Sequence, residues 1–309
     1  MYLQFTQRLT RPISLLALFG SLLVAGCQSS LPARAVGRGI VSLDYCADQF
    51  VLGLADRENI LAVSPNARSS FSYMRAAAHG LPVVRPRAED VLALKPDLVV
   101  RSYGGGVNAQ AFFQRAGVPV LQIRSANNLD GVRAMIRHAA RGLGVPQRGE
   151  LLITKMNQRL QAAQAYPPHT HALYVTPAGY TTGPGTLVHS LFTAAGLDNF
   201  QTRAGWHPIP LERLAYEIPD MIALATFGVS ANHDDAWTAF RHPVAHRTMS
   251  TVPTVLLDGA TTSCGGWFVA DAVVGLRALH RKLLTESEPS AEGDMTAHRE
   301  FPAKGFSRD

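Results

Sequence analysis

The side chains of this 309-residue chain best suited to chemistry are aromatics and arginines. Tyr45, Phe71, Tyr73, Tyr103, Tyr180, Trp206 and Trp267 offer flat apolar faces, on which a large, partly apolar ring packs well. Arg68, Arg85, Arg87 and Arg101 offer planar forks suited to carboxylate, phosphate or catecholate oxygen. This is the chemistry of holding a bulky molecule that carries negative charge. Groups for turning one over are not arranged in any readable pattern. There is no GxSxG nucleophile elbow. Gly104-Gly105-Gly106-Val107-Asn108-Ala109 matches a relaxed dinucleotide fingerprint, but the next strand ends at Ile123-Arg124-Ser125 with no acid to hold a ribose. The loop therefore reads as a Gly-rich turn. Eleven His invite a metal reading, and His207 and His233 lie near ligand-facing loops. There is no HExxH, no CxxC and no His-rich loop, His169 and His171 border a linker, and His189 sits on a helix, so no directly bound metal is assigned.

The elements that must position these residues alternate. Strands are expected at 39–43, 60–63, 98–101, 117–123, 172–175 and 254–257, with helices at 47–55, 110–116, 187–195 and 267–284. Gly196 stops the third of these helices. Strands alternating with helices predict parallel sheets. One unit occurs twice. Glu89 and Glu212 each open a short apolar-patterned helix, and seven residues later comes Pro-Asp followed by an apolar strand. Pro cannot continue the helix, so it separates the two elements. A unit repeated once at wide spacing predicts two similar lobes with a cleft between them. Between the copies lies the longest helical pattern, with Leu151, Leu152, Met156, Leu160 and Ala163 on one face, started by Pro146 and stopped by Pro167-Pro168. It reads as a stiff connector. The expected division is 39–145 for an N-terminal α/β lobe, 146–168 for the connecting helix and 169–285 for a C-terminal α/β lobe. In such lobes ligands meet the loops at the carboxyl ends of the strands. Those loops carry Tyr45, Arg68, Tyr73, Arg101, Tyr103, Tyr180, Trp206 and Trp267, the expected ligand-binding residues. They also carry Cys46 and Cys264, on opposite sides of the cleft. These two form a candidate cross-cleft pair, and an oxidising compartment permits a bridge. Two separate small apolar residues, or two thiols touching the ligand, are the other readings.

The termini set the compartment. Arg8 and Arg11 followed by the apolar stretch Pro12 to Ala25 read as an export signal, too short for a spanning helix. It ends in Leu23-Val24-Ala25-Gly26-Cys27, which looks like a bacterial lipobox. Residues 1–26 are thus expected to be a signal peptide, Cys27 a lipidation site, 27–38 a tether and 286–309 a disordered tail. Removing 1–26 takes away two Arg and no acid and lowers the net charge from +6 to +4. That balance is only mildly basic, and without a Lys/Arg run it argues against nucleic acid as a partner.

Over residues 39–284 the sequence resembles the substrate-binding proteins of ABC importers, of the class that takes vitamin B12, ferric siderophores and haem. The motifs that carry the resemblance are Ser42-Leu43 with Asp48, the phrase Leu92-Ala93-Leu94-Lys95-Pro96-Asp97-Leu98-Val99, and Gly183 to Gly196 ending in Ala195-Gly196-Leu197. The resemblance implies two α/β lobes of mainly parallel sheet bridged by one long helix, with little lobe motion on binding. It implies a monomer in the periplasm, anchored to a membrane face by lipid, with no catalytic activity and no cofactor of its own, its ligand being a metal chelate. The implied partners are that small molecule and a permease dimer with its ATPase. Glu89 and Glu212 occupy the places of the glutamates that meet permease arginines. Tyr180 and Trp206 fall where B12-binding relatives have aromatic walls, whereas Val83 and Ser102 stand where those relatives have further tryptophans.

Overall fold

The computed structural model describes residues 39–162, 170–227 and 242–287. The first half runs β1 (Ile40–Ser42), α1 (Tyr45–Leu54), β2 (Ile60–Ala62), α2 (Ala88–Leu92), β3 (Leu98–Arg101), α3 (Ala109–Arg115) and β4 (Val120–Gln122). Its four strands form a parallel sheet in the order β2-β1-β3-β4. Then come α4 (Leu129–Gly142) and α5 (Pro146–Ala162). The second half runs β5 (His171–Val175), β6 (Tyr180–Thr182), α6 (Leu187–Ala195), β7 (Asp198–Asn199), β8 (Trp206–Pro208), α7 (Leu211–Leu214), β9 (Met221–Thr226), α8 (Pro243–Thr251), β10 (Thr254–Asp258), α9 (Gly259–Thr262) and α10 (Val269–Ser287). Its parallel sheet has the order β10-β9-β5-β7, and β6 pairs with β8 as a separate antiparallel ribbon.

The strands are short, and the central ones, β1, β3, β5 and β9, are largely buried on both faces, which is why they read as apolar runs. Their period of two sorts the side chains. Ile40 and Val100 join a large apolar core that also contains Ala172 and Tyr174, together with residues of α4, α5, α6 and α10. Val41 and Val99 turn to the outer face of the first sheet. Leu173 and Val175 turn to the outer face of the second. One continuous core therefore runs from sheet to sheet, and the two outer faces are covered separately. The two parallel sheets are the two α/β lobes expected, and a shared core joins them in addition to the connecting helix.

Two helices fill the junction. The sequence pattern had no element for α4, yet Val132, Ile136, Ala139 and Ala140 bury one face of it, and Asn128 caps it by accepting the Gly131 N–H at 2.7 Å. α5 packs along α4, and Gly149 allows the close approach: a Cβ there would lie 2.6 Å from the Ala140 Cβ. α5 is described to Ala162, so the Pro167-Pro168 stop and His169 lie outside the described residues. Arg277 on α10 donates to the Leu160 carbonyl at 2.7 Å and to the Ala194 carbonyl, tying the ends of α5 and α6 to the second half. α6 stops at Gly196 in the left-handed conformation, φ 77°, where glycine carries no Cβ penalty. The export signal, the lipobox with Cys27, the tether, His233 and the tail beyond 287 also lie outside the described residues.

Candidate ligand cleft

A cleft of about 590 Å³ opens where the carboxyl ends of both sheets converge. After β1 it is lined by Tyr45 and Cys46, after β3 by Ser102, and after β4 by the run Ile123 to Asn127. From the second half come Tyr174 at the end of β5, Phe227 after β9, and Thr262 to Gly265 after β10. Gly185 to Val188 at the start of α6, with Gly205 and Trp206, complete the wall.

Asp44 builds the first-half rim. As N-cap of α1 its Oδ1 accepts the Ala47 N–H at 3.0 Å. Its Oδ2 accepts the N–H groups of Ser102, Tyr103 and Gly104 at 2.7, 3.0 and 2.8 Å, pinning the loop after β3 to the end of β1. Gly104 is required there, since a Cβ would meet the Leu43 carbonyl oxygen at 2.5 Å. Arg101 closes the same loop from below, donating from Nε to Gly104 O at 2.8 Å and from Nη2 to Gly106 O at 2.9 Å. The glycines that resembled a phosphate fingerprint thus serve a tight turn. Asp48, one turn along α1, is buried and accepts from the Ser64 N–H at 3.1 Å and the Ser64 hydroxyl at 2.6 Å. Burial pushes its carboxyl up to about 6 against those hydrogen bonds.

The walls are aromatic. Tyr45 meets Phe71 and Tyr103 edge-on, at 5.1 and 6.0 Å between ring centroids. Trp206 meets Tyr174 edge-on at 6.0 Å and keeps 55% of its surface exposed. Burial raises the pKa of Tyr45, opposed by a hydrogen bond to Ser263 and reinforced by the Asp44 charge. Burial also raises those of Tyr103 and Tyr174. All three are therefore neutral hydroxyls at neutral pH. Arg124 is the charged side chain among the lining residues. Among the described residues no group of three or more His, Cys, Asp or Glu converges as a metal cage.

Of the eight residues expected to touch ligand, Tyr45 and Trp206 line the cleft. Tyr103 rests edge-on against Tyr45 and is 54% exposed. Tyr180 is exposed on β6, outside the lining set. The other four are turned to internal contacts. Arg68 donates to the carbonyls of Ala78 and Leu81 at 3.3 and 2.6 Å. Arg101 holds the loop described above. Tyr73 stacks on Phe268 at 4.6 Å and its hydroxyl donates to Asp271 at 2.9 Å. Trp267 packs edge-on against Phe50 and covers Gly53, where a Cβ would come within 2.1 Å of the indole. Cys46 and Cys264 are joined as a disulfide, with Cα atoms 5.5 Å apart. His207 directs Nε2 to the Ala204 carbonyl at 2.8 Å. Glu89 on α2 and Glu212 on α7 are both exposed, each in the first turn of its short helix.

The sequence reading passed over Asp44, Arg124 and Tyr174. Asp44 has a cap signal, an Asp directly before an apolar helical pattern. Arg124 follows β4 directly, where the strand-end rule points.

A family model described as a periplasmic binding protein matches residues 40–241. A cobalamin-binding protein of Halobacterium salinarum is 27% identical over 207 residues, covering 64% of this chain and 55% of that protein. The chain thus spans about half the length of that relative. The solved structure of a periplasmic heme-binding protein from Pseudomonas aeruginosa is 26% identical, with a TM-score of 0.64 over 78% of this chain and 92% of the other. The periplasmic heme-binding protein BhuT, solved in complex with two hemes, is 26% identical, with a TM-score of 0.58 over 79% and 96%.

Proposed function

The chain belongs to the periplasmic binding protein family, and we propose that it captures a metal-chelating macrocycle, cobalamin or haem, and delivers it to an ABC permease dimer driven by its ATPase. The observation that carries this reading is the cleft itself. It lies at the carboxyl ends of two parallel sheets, is walled by Tyr45 on one side and Trp206 with Tyr174 on the other, and carries one cation, Arg124. Its volume falls within the range of about 300–1,000 Å³ usual for small-molecule sites. A flat ring packs between the aromatic faces, and an anionic substituent pairs with Arg124. The likeness to cobalamin-binding and heme-binding proteins supports the same ligand class.

Around this core the reading has further parts. Tyr103 and Tyr180 extend the aromatic rim. Glu89 and Glu212 meet cationic groups on the two permease subunits. The protein acts as a periplasmic monomer held to a membrane face by a lipid on Cys27, with residues 39–145 and 169–285 as its lobes and 146–168 between them. It binds and does not transform its ligand.

The test is a visible absorption titration of the purified protein with cyanocobalamin, haemin and ferric hydroxamate or catecholate complexes. One macrocycle is expected to bind at one per chain, with a shifted spectrum and quenched tryptophan fluorescence. Binding of the ferric siderophores alone would overturn the macrocycle, and binding of none of the probes would overturn the chelate class.

A further inference from the structure

The two halves are coupled across the floor of the cleft by contacts from α1 and from Tyr73 to the stretch between Cys264 and Asp271. Cys46, in the first turn of α1, is bonded to Cys264, just after α9, across a sequence separation of 218. Beside the bond, Tyr45 and Ser263 both line the cleft. Behind it, Tyr73 stacks on Phe268 and donates to Asp271, and Trp267 lies against Phe50. Elsewhere on the rim the coupling is slight. The start of α4 touches α6 through one hydrogen bond, Leu129 N–H to Ser190 Oγ at 3.4 Å, and a second groove of about 480 Å³ opens between those two elements.

The disulfide lies within the site, because Cys46 and Cys264 both line the cleft. On the chain side of the bond sit the wall residue Tyr45 and the lining run Thr262 to Gly265. The only other covalent path between the sheets follows the backbone through α5. The shared core and one backbone path still let two packed halves shift slightly against each other, whereas a second covalent path closes a ring and limits that shift. A site whose walls are fixed before the ligand arrives loses less entropy on binding and releases its ligand more slowly.

We propose that the Cys46–Cys264 disulfide is a strut that sets the aperture of the cleft, so that ligand enters a preformed gap and cutting the strut lets the halves part. The two cysteines are positioning residues: they fix the spacing of the walls that touch the ligand. The strut itself follows from the placement of the two cysteines. Its effect on release rests on the binding reading given above.

The experiment separates the two. Donor and acceptor dyes are attached through keto amino acids at Gln110 on α3 and Arg247 on α8, exposed helical positions on opposite halves, which leaves the native cysteines untouched. Single-molecule energy transfer is recorded without ligand for the oxidised protein, the phosphine-reduced protein, the Cys46→Ser/Cys264→Ser variant and the reduced protein after reoxidation. The expected result is a narrow distance distribution when oxidised, a broadened or lengthened one when reduced or serine-substituted, and recovery on reoxidation. Circular dichroism should be unchanged throughout. If the bond were purely stabilising, its loss would lower the melting temperature and leave these distributions alike, and that result overturns the strut. Dissociation of haemin or cyanocobalamin, whichever binds, should be about fivefold faster or more without the bond. An equal rate would overturn the aperture's role in release. If neither probe binds, the ligand class falls, and the energy-transfer result still decides the strut.

Discussion

Asp48 makes the stability of this protein depend on pH with a sign that its surroundings fix. Its carboxyl is fully buried, and it accepts from the Ser64 N–H and hydroxyl at 3.1 and 2.6 Å. Burial lifts its pKa from 3.8 to about 6, with the Ser64 and Ser42 hydrogen bonds opposing and the Asp44 charge assisting. In the unfolded chain the same group titrates near ~4. Between about pH 4 and pH 6 the folded protein therefore holds a proton that the unfolded chain has released, and stability falls as pH rises through that window. Two pKa units and a little more correspond to about 3 kcal/mol in full, of which about 2 kcal/mol falls between roughly pH 4.5 and 7.5. Asp48→Asn keeps the shape and the pairing, since the amide oxygen accepts the Ser64 N–H and the amide nitrogen donates to the Ser64 hydroxyl. Urea unfolding of parent and variant, with the disulfide intact, is compared at both pH values, so that the other carboxylates cancel. The stability difference should move by about 2 kcal/mol in favour of Asn on going from acid to neutral pH. A difference that stays constant refutes the buried shift, and one that moves toward the parent refutes its sign.

Three further outcomes concern the cleft and its partner. Trp206→Ala should lower macrocycle affinity about threefold to tenfold and remove most of the fluorescence quench; an unchanged dissociation constant would take Trp206 out of the wall. Arg124→Gln should weaken binding at low salt and flatten its salt dependence, because the one cation among the lining residues is removed; parallel salt curves for parent and variant would deny Arg124 its anion. Reversing both docking charges, Glu89→Arg with Glu212→Arg, should abolish uptake into proteoliposomes carrying the permease and its ATPase while the dissociation constant stays put. Normal uptake by that double variant would end the docking role.

Much of the fold was legible because its central strands are buried on both faces. Leu98 to Val100 and Met221 to Ala225 are unbroken apolar runs, and each follows a Pro-Asp that marks where a helix must end. α4 was not legible. Gly131 and the arginines 133, 137 and 141 dilute its pattern, and its buried face is carried partly by Ala139 and Ala140, which weigh little in a periodicity. The β6–β8 ribbon was too short, at three residues a strand, to show an alternation. At the site, residue type and strand-end position drew attention to the right loops but could not give the direction of a side chain. Tyr73 and Trp267 have the same chemistry as Tyr45 and Trp206, yet they bury their rings against Phe268 and Phe50 where the halves meet.

Direction was nevertheless recoverable at one place. β5 alternates Ala172 and Tyr174 toward the shared core with Leu173 and Val175 toward the outer face. Its neighbour β9 pairs Leu173 with Ile222 and Tyr174 with Ala223, and the residues of each pair lie in the same core. Because the period is two, a slip of one residue would send Tyr174 to the outer face and bring a branched aliphatic to the cleft. The outer core, with Phe200, Ile209, Leu214 and Val252, takes Leu173 and Val175 without a polar partner, whereas a Tyr hydroxyl buried there would need one. In its actual register Tyr174 lines the cleft and sits edge-on to Trp206. The polarity of the hydroxyl and the apolarity of the outer face therefore favour the same register, and that register places the aromatic wall at the cleft.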